Sequence, residues 1–261
     1  MANRRRRITP IHGSLHDAAA ASAYTAQGVN INGGVQFDVS ALTGIADGPK
    51  GILSFWFKFT AGDSNFHILL ETHNQTTIAL FRNNSGCWQF TTHDSLGNNL
   101  FNYIGTTAFN SSMGWNHMLA SWDLSPGVGL ASVYFTDVLE INATPPSSTI
   151  IDYAVAADPA WVMFARGGAI PYTGYIADFY FNTVDFLDFS AGSGVGTANR
   201  RKFISAGLAP VDLGATGSIP TGSAPTIFLH GPVASWNTND GTGGGFTLTS
   251  GSLSAAATNP P

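Results

Sequence analysis

The sequence predicts an all-β protein, a jelly-roll β-sandwich of two antiparallel sheets with a short N-terminal arm and an extended C-terminal tail. Three observations predict it. Apolar and polar residues alternate with period two in short runs from about residue 35 to residue 182. Clusters of Gly, Pro, Asn and Asp separate these runs, as turns separate strands. The 261 residues include 30 Gly and 18 Phe but only three Lys and two Glu, so good helix formers are scarce.

The clearest strand covers residues 51–60. Phe55 and Phe57 share one of its faces, whereas Ser54 and Lys58 share the other. Comparable runs are Phe66–Thr72, Thr76–Arg82, Cys87–Thr92, Trp115–Asp123, Leu130–Thr136, Trp161–Arg166 and Gly174–Asn182. So many short strands must close into two packed sheets to bury their aromatic faces. The expected core includes Phe55, Phe57, Leu119, Phe179 and Phe181.

Composition divides the chain into three parts. Residues 1–34 form a basic arm with a short helix near residues 15–24, and residues 35–190 form the sandwich. Residues 191–261 are a Gly/Pro-rich extension with a helix at residues 199–207, which we expect to pack on the sandwich or on a partner. Short strands are expected within the extension at Thr226–His230 and Gly245–Thr249.

The charge distribution limits the function classes. Residues 1–7 carry +4, residues 8–199 carry −10 and residues 200–261 carry +1, for a net charge of −5. An acidic body repels phosphates, so we expect no nucleic-acid ligand. The basic start lacks the apolar core of a secretory signal, and we expect no membrane span. Cys87 is the single cysteine, which excludes an internal disulfide framework.

The cationic residues at the two ends of the acidic body are candidates for anchoring the protein to a partner. Guanidinium groups pair bidentately with carboxylates, so acidic grooves on a neighbouring subunit would suit them. The alternative is that these cations only decorate a solvated surface. The residues are Arg4, Arg5, Arg6, Arg7, Arg200, Arg201 and Lys202.

Four segments carry a resemblance to known domains. They are Ile52–Phe59, Gly114–Asp123 with its Trp-Asn-His run, Val133–Asp137 and Tyr172–Phe181. Together they resemble the core strands, hairpin and closing strand of laminin-G-like and concanavalin A-like domains. The resemblance implies the same jelly-roll fold over residues 35–190. Thr136-Asp137 replaces the usual Asn-Gly turn, so no ligand or metal site is carried over.

A second resemblance concerns the C-terminal part of the chain. Five segments carry it, and they are Leu187–Ser190, Asn199–Ile204, Pro210–Gly214, Pro220–Gly222 and Asn239–Thr247. These segments resemble uncharacterised phage and prophage proteins that carry a laminin-G-like domain. The resemblance implies a virion component, located on the phage particle, which has other virion proteins as partners and is present as a homo-oligomer or in several copies. It does not distinguish head, neck and tail.

Catalytic and metal motifs are weak. Sugar-cleaving enzymes need two carboxylates placed across the substrate, but Glu71 and Glu140 have no acidic neighbour at a suitable spacing. No Gln-x-His strand of the lyase type occurs, and His117 is expected to be a core residue. The pair His12 and His16 is interrupted by glycine, and no calcium loop is complete. We therefore expect no catalytic residue, no metal and no cofactor.

Three function classes stay open. The first is a non-enzymatic virion structural protein that displays the sandwich, and the second is an adhesin that binds host glycans. The third, less favoured, is a polysaccharide-degrading enzyme. Glycan binding would use aromatic side chains as stacking platforms. The candidates are Trp88, Trp161, Tyr172 and Trp236.

Overall fold

The structure is a computed structural model that describes residues 24–32, 34–39, 42–72, 77–154, 161–165, 171–190 and 194–261. Within these ranges the chain forms fifteen strands and one α-helix, α1 (Gly194–Arg200). The strands are β1 (Val29–Ile31), β2 (Gln36–Val39), β3 (Lys50–Phe59), β4 (His67–Thr72), β5 (Ile78–Arg82), β6 (Cys87–His93), β7 (Asn99–Ala108), β8 (Asn116–Asp123), β9 (Leu130–Phe135), β10 (Val138–Ala143), β11 (Trp161–Met163), β12 (Gly174–Asn182), β13 (Ile227–Leu229), β14 (Thr247–Ser250) and β15 (Ser254–Ala255).

The strands form two antiparallel sheets, which confirms the predicted fold class. In the described residues the eight-stranded sheet has the order β10-β9-β8-β3-β12-β1-β15, with β13 also paired to β12. The seven-stranded sheet has the order β14-β2-β11-β4-β5-β6-β7. Strands from the start and the end of the chain therefore complete both sheets, and residues 191–261 contribute three of them.

The main core lies between the two sheets and is dominated by aromatic rings. Phe57 is its centre, because its ring centroid lies 5.2 Å from that of Trp88 and 5.0 Å from that of Phe109. Phe55, Phe179 and Phe181 lie in the same cluster, as predicted. Rings of this size supply much of the apolar area that stabilises a sandwich.

A second core covers the outer face of the eight-stranded sheet. Leu119 belongs to this core rather than to the central one, so its predicted position is wrong. The sequence alternation placed it correctly on an apolar face, but that face is covered by the C-terminal extension. The residues that pack together there are Ile52, Leu119, Tyr134, Tyr180, Phe189, Phe203, Leu213 and Phe228.

Helix α1 begins five residues before the helix predicted at residues 199–207, so that prediction is wrong in position. Asn199 does not cap a helix, because its side-chain amide donates to the backbone oxygen of Asp188. A Cβ atom at Gly196 would lie 2.2 Å from the backbone oxygen of Ser190, so this turn of helix depends on a close backbone approach. The helix predicted near residues 15–24 falls outside the described residues, apart from Tyr24.

Helix α1 has seven residues. In the described ranges no helix combines the length and apolar character needed to cross a membrane.

Glu140 on β10 joins the edges of the two sheets. Its carboxylate accepts hydrogen bonds from the backbone nitrogens of Thr106 and Thr107 on β7, and from both of their hydroxyl groups. Because β7 is the last strand of its sheet, these nitrogens would otherwise lack a partner strand. Glu140 therefore has a structural role in closing one side of the sandwich.

Asp178 is a buried carboxyl group in strained backbone. It has φ +47° at a point where the register between β12 and β3 shifts, and it is 3% exposed. The Tyr24 hydroxyl donates to its Oδ1 at 3.0 Å, whereas Oδ2 has no hydrogen-bond partner among the described residues. Burial, with the charge of Asp212, raises the pKa of Asp178 from 3.8 to about 7.

We predict that Asp178→Asn stabilises the protein above pH 7. In the unfolded chain the carboxyl ionises near pH 4, so wild-type stability falls as the pH rises from about 4 through 7. The pKa difference corresponds to at most about 4 kcal/mol, and asparagine also tolerates positive φ. Urea unfolding of both proteins at pH 4.5 and pH 8 measures the effect. A stability difference that is equal at the two pH values would contradict the prediction.

Candidate functional site

The four aromatic residues predicted to stack on glycans lie inside the protein. Each side chain is 0% exposed, so none offers a ring face to a ligand, and the prediction requires correction. Trp88 shows the reason, because its ring lies edge-on against Phe55 and Phe57 in the central core. Inward-facing strand positions and sugar-binding surfaces both favour large aromatic side chains, so the residue type alone does not distinguish them. The buried residues are Trp88, Trp161, Tyr172 and Trp236.

The C-terminal cations pair within the chain, so their predicted role as partner anchors requires the same correction. Arg200 donates from Nε to Oδ1 of Asp137 at 2.7 Å, and Arg201 pairs with Oδ2 of the same carboxylate. Lys202 donates from Nζ to the backbone oxygen of Pro220 at 2.9 Å. The two arginine contacts fix the extension against the β9–β10 turn, and the lysine contact lies within the extension. The other predicted anchors, Arg4, Arg5, Arg6 and Arg7, lie outside the described residues.

A surface pocket of about 370 Å³ opens between three loops at one end of the sandwich. The loops connect β3 to β4, β5 to β6, and β11 to β12. We refer to this hollow as the end pocket. It is lined by Gly62, Asn65, Phe66, His67, Asn84, Pro171 and Thr173.

Phe66 is the aromatic surface of the end pocket. Its side chain is 39% exposed, and its ring centroid lies 5.7 Å from that of Phe81, which supports it from below. The alternation in the sequence placed Phe66 at the start of a strand, but it could not show that this ring stays at the surface. Asn65 and Asn84 are exposed beside it, and Thr173 is partly exposed.

Arg82 holds the β3–β4 loop in place. Its guanidinium is 1% exposed and donates to the backbone oxygens of Gly62 at 3.2 Å, Asn65 at 3.0 Å and Asp63 at 2.5 Å. It also donates to the backbone oxygen of Phe109 at 2.9 Å. Four carbonyl groups thus surround one rigid fork of donors, which fixes the loop.

His67 links the β3–β4 loop to the β11–β12 loop. Its Nδ1 lies 3.0 Å from the backbone oxygen of Pro171 and its Nε2 lies 2.8 Å from that of Gly62. Burial, and after it the charge of Arg82, lowers the pKa of His67 despite both carbonyls. The ring is therefore neutral at pH 7 and donates to one carbonyl at a time.

Among the described residues, the end pocket combines a ring face, two amides and a hydroxyl. None of these lining residues is a carboxylate, and the lowered pKa of His67 favours its neutral form at pH 7. Sugars have weakly apolar ring faces that stack on aromatic side chains, while their hydroxyls bond to amides and hydroxyls. The lining therefore suits a neutral sugar.

A different hollow of about 410 Å³ is acidic. Asp47, Asp94 and Asp152 line it together with the exposed side chains of Leu96 and Ile150. Burial, and then the charge of Asp47, raises the pKa of Asp152. Over the described ranges no three His, Cys, Asp or Glu side chains are arranged to hold a metal ion.

Comparison by sequence finds no relative: no protein-family model matches the chain, and no curated protein matches it. Comparison by structure does find matches. A protein of Bacteroides ovatus ATCC 8483 that is proposed to bind carbohydrate superposes with a TM-score of 0.61 at 12% identity. The match covers 90% of this chain and 62% of the Bacteroides protein, so the chain spans less than two thirds of that protein's length.

Two further structures match over smaller parts of the chain. Domains LG4-5 of the mouse laminin alpha1 chain give a TM-score of 0.41 at 13% identity, covering 66% of this chain and 47% of theirs. The IT-sialidase CBM40 of Ruminococcus gnavus gives 0.43 at 16% identity, covering 63% and 93%. The Bacteroides match agrees with the two-sheet architecture and establishes a jelly-roll, lectin-like fold for this chain.

We predict that Arg82→Met destabilises the protein by at least about 3 kcal/mol, because four carbonyls lose their donor and a buried unpaired carbonyl costs about 1–3 kcal/mol. Arg82→Lys keeps the charge but loses the fork, so we expect it to recover less than half of that stability. Urea unfolding of the three proteins measures both effects. Wild-type stability in Arg82→Lys would show that the charge, and not the set of four hydrogen bonds, matters.

Proposed function

We propose that this protein is a carbohydrate-binding module whose end pocket takes a neutral sugar. The observation that carries the proposal is the exposed ring of Phe66 beside the side chains of Asn65, Asn84 and Thr173. Arg82 and His67 hold the surrounding loops from beneath, so little conformational entropy is lost when a ligand binds. The resemblance of the fold to lectin-like domains supports the same assignment.

We propose binding without catalysis. A glycoside hydrolase places two carboxyl groups about 5–10 Å apart across the scissile bond. The described residues that line the end pocket are neutral, and Glu140, one of the two glutamates, is engaged by Thr106 and Thr107 at a sheet edge. These features support a module that holds its ligand unchanged.

We further propose that the module is displayed on a phage particle, as a structural component of the virion. The support is the resemblance of five short segments between residues 187 and 247 to phage and prophage proteins. On this proposal the partners are other virion proteins and a glycan of the host surface. Several weak sugar sites on one particle would give strong attachment, because each contact after the first is intramolecular.

We predict that Phe66→Ala reduces affinity for the bound neutral glycan at least tenfold, because the stacking surface is lost. A glycan array identifies the ligand, and calorimetric titration measures the affinities. Leu96→Ala is the matched control, since Leu96 is 85% exposed and lines the acidic hollow instead. The proposal fails if no glycan on the array binds, or if Phe66→Ala binds as tightly as wild type.

We predict that the protein copurifies with phage particles in several copies each. Quantitative mass spectrometry of particles purified by density gradient measures the copy number relative to the major capsid protein. Particles that carry none of this protein would contradict the virion proposal and leave the end pocket proposal unaffected.

A further inference from the structure

A row of side chains crosses the outer face of the eight-stranded sheet near the end pocket. The pairing registers align Lys58 on β3 with Tyr175 on β12, Tyr175 with Asn30 on β1, and Asn30 with Ser254 on β15. Trp115 directly precedes β8, whose register with β3 places it beside Lys58. We call these five residues the sheet strip.

The sheet strip stays at the surface, whereas the next row of the same face is covered. Trp56, His117 and Ala177 form that next row, and each is at most 2% exposed because Ala26 and Ile204 pack over it. In the strip, Ser254 is exposed and the other four side chains are partly exposed. All six tryptophans lie in the described residues, and Trp115 alone is not buried.

The two aromatic rings of the strip are held in fixed positions. The ring centroids of Trp115 and Tyr175 lie 6.0 Å apart with an interplanar angle of 36°. The indole nitrogen of Trp115 donates to Oγ1 of Thr258 at 3.1 Å. A Cβ atom at Gly28 would lie 2.8 Å from the indole, so glycine allows the ring to seat there. A fixed ring loses little freedom on binding, which favours affinity.

Lys58 gives the strip a positive charge. Its Nζ lies 5.9 Å from the ring centroid of Tyr175. Among the described residues no carboxylate lies within ion-pair distance of it, in contrast to Arg200 and Arg201. A cation beside an aromatic ring is suited to a ligand that has both apolar faces and a negative charge.

The dimensions of the strip indicate an elongated ligand. Neighbouring strands lie about 4.8 Å apart, so the five positions extend over about 19 Å. Along the backbone these positions carry, in order, a ring, a cation, a ring, an amide and a hydroxyl, and the indole of Trp115 leans across the strip toward Tyr175 and Gly28. The amide nitrogen of Asn30 donates to Oγ of Ser254 at 3.2 Å. Strand backbone groups in the interior of a sheet are already paired, so recognition falls to side chains. Such a surface fits a chain of sugar rings better than an added peptide strand.

We propose that the sheet strip is a second carbohydrate site, and that it binds an extended glycan carrying carboxylate groups. Trp115 and Tyr175 stack against sugar rings, Lys58 pairs with a carboxylate, and Asn30 with Ser254 bonds to hydroxyls. This site is separate from the end pocket and does not depend on it. Its charge also gives it a different preference, for acidic rather than neutral glycans.

The test measures binding of the full chain to tetragalacturonate and to the uncharged galactose tetramer by calorimetric titration. Wild type is expected to bind the acidic tetramer at least fivefold more tightly, with an affinity that falls as salt is added. Lys58→Gln is expected to remove that preference. Tyr175→Leu is expected to weaken binding of the acidic tetramer at least tenfold, while Phe66→Ala leaves it unchanged.

Thermal unfolding checks that each variant folds, and Trp115→Phe gives a milder change should Tyr175→Leu be unstable. The proposal is overturned if wild type binds neither galacturonate nor other uronate or sialylated oligosaccharides. It is also overturned if Lys58→Gln keeps the preference for the acidic tetramer. The same holds if the variants in the sheet strip keep glycan binding and lose only the binding of a protein partner. If Phe66→Ala loses binding of the acidic tetramer, that ligand binds in the end pocket. This result would equally refute the second site.

Discussion

Strand β3 is buried on both of its faces except at Lys50 and Lys58, and this constraint organises the rest of the molecule. On its inner side Phe55 and Phe57 pack in the central core, while on its outer side Ile52 and Trp56 are also buried. A sheet with two apolar faces needs a cover on each. The C-terminal extension provides the outer cover, and three of its strands enter the two sheets. Ligands are therefore restricted to the surfaces that this cover leaves free.

Cations in this protein serve two distinct purposes. Arg200 and Arg201 share the carboxylate of Asp137, and Arg82 has its donors occupied by backbone oxygens, so all three fix loops or turns. Such groups contribute to the shape of a site without meeting the ligand. Lys58 differs because its ammonium lies near the ring of Tyr175 in the sheet strip. The buried guanidinium groups and the partly exposed ammonium of Lys58 therefore have different effects. The guanidinium groups make the surface rigid through their hydrogen bonds, whereas the ammonium gives the surface its charge.

The sequence predicted the strands that are rich in large apolar residues, such as β3, β8 and β12. It missed β7, where Asn99, Asn102 and Gly105 look like turn residues although the strand pairs along its length with β6. It also missed β10, which is short and largely exposed. In both strands, pairing across the sheet overrides weak local preference.

The candidate sites were harder to predict than the strands, and the tryptophans show why. Trp88 and Trp115 are equally suited to stacking on a sugar, yet Trp88 is at the centre of the core and Trp115 is partly exposed. The two tryptophans differ in the face of the sheet that they occupy and in what covers that face. In the same way, Arg200 and Arg201 meet Asp137 across more than sixty residues of sequence. Local sequence reveals the charge of a residue but does not reveal its partner.

The end pocket and the sheet strip are carried by the same two strand ends. Thr173, which directly precedes β12, lines the pocket, and Tyr175 at the start of β12 belongs to the strip. The backbone nitrogen of Thr60 donates to the oxygen of Thr173, which ties this segment to the end of β3 and so to Lys58. Two nearby sites with different charge preferences would engage neighbouring groups of one heterogeneous glycan coat. Because the second contact is then intramolecular, modest affinity at each site is sufficient for firm attachment.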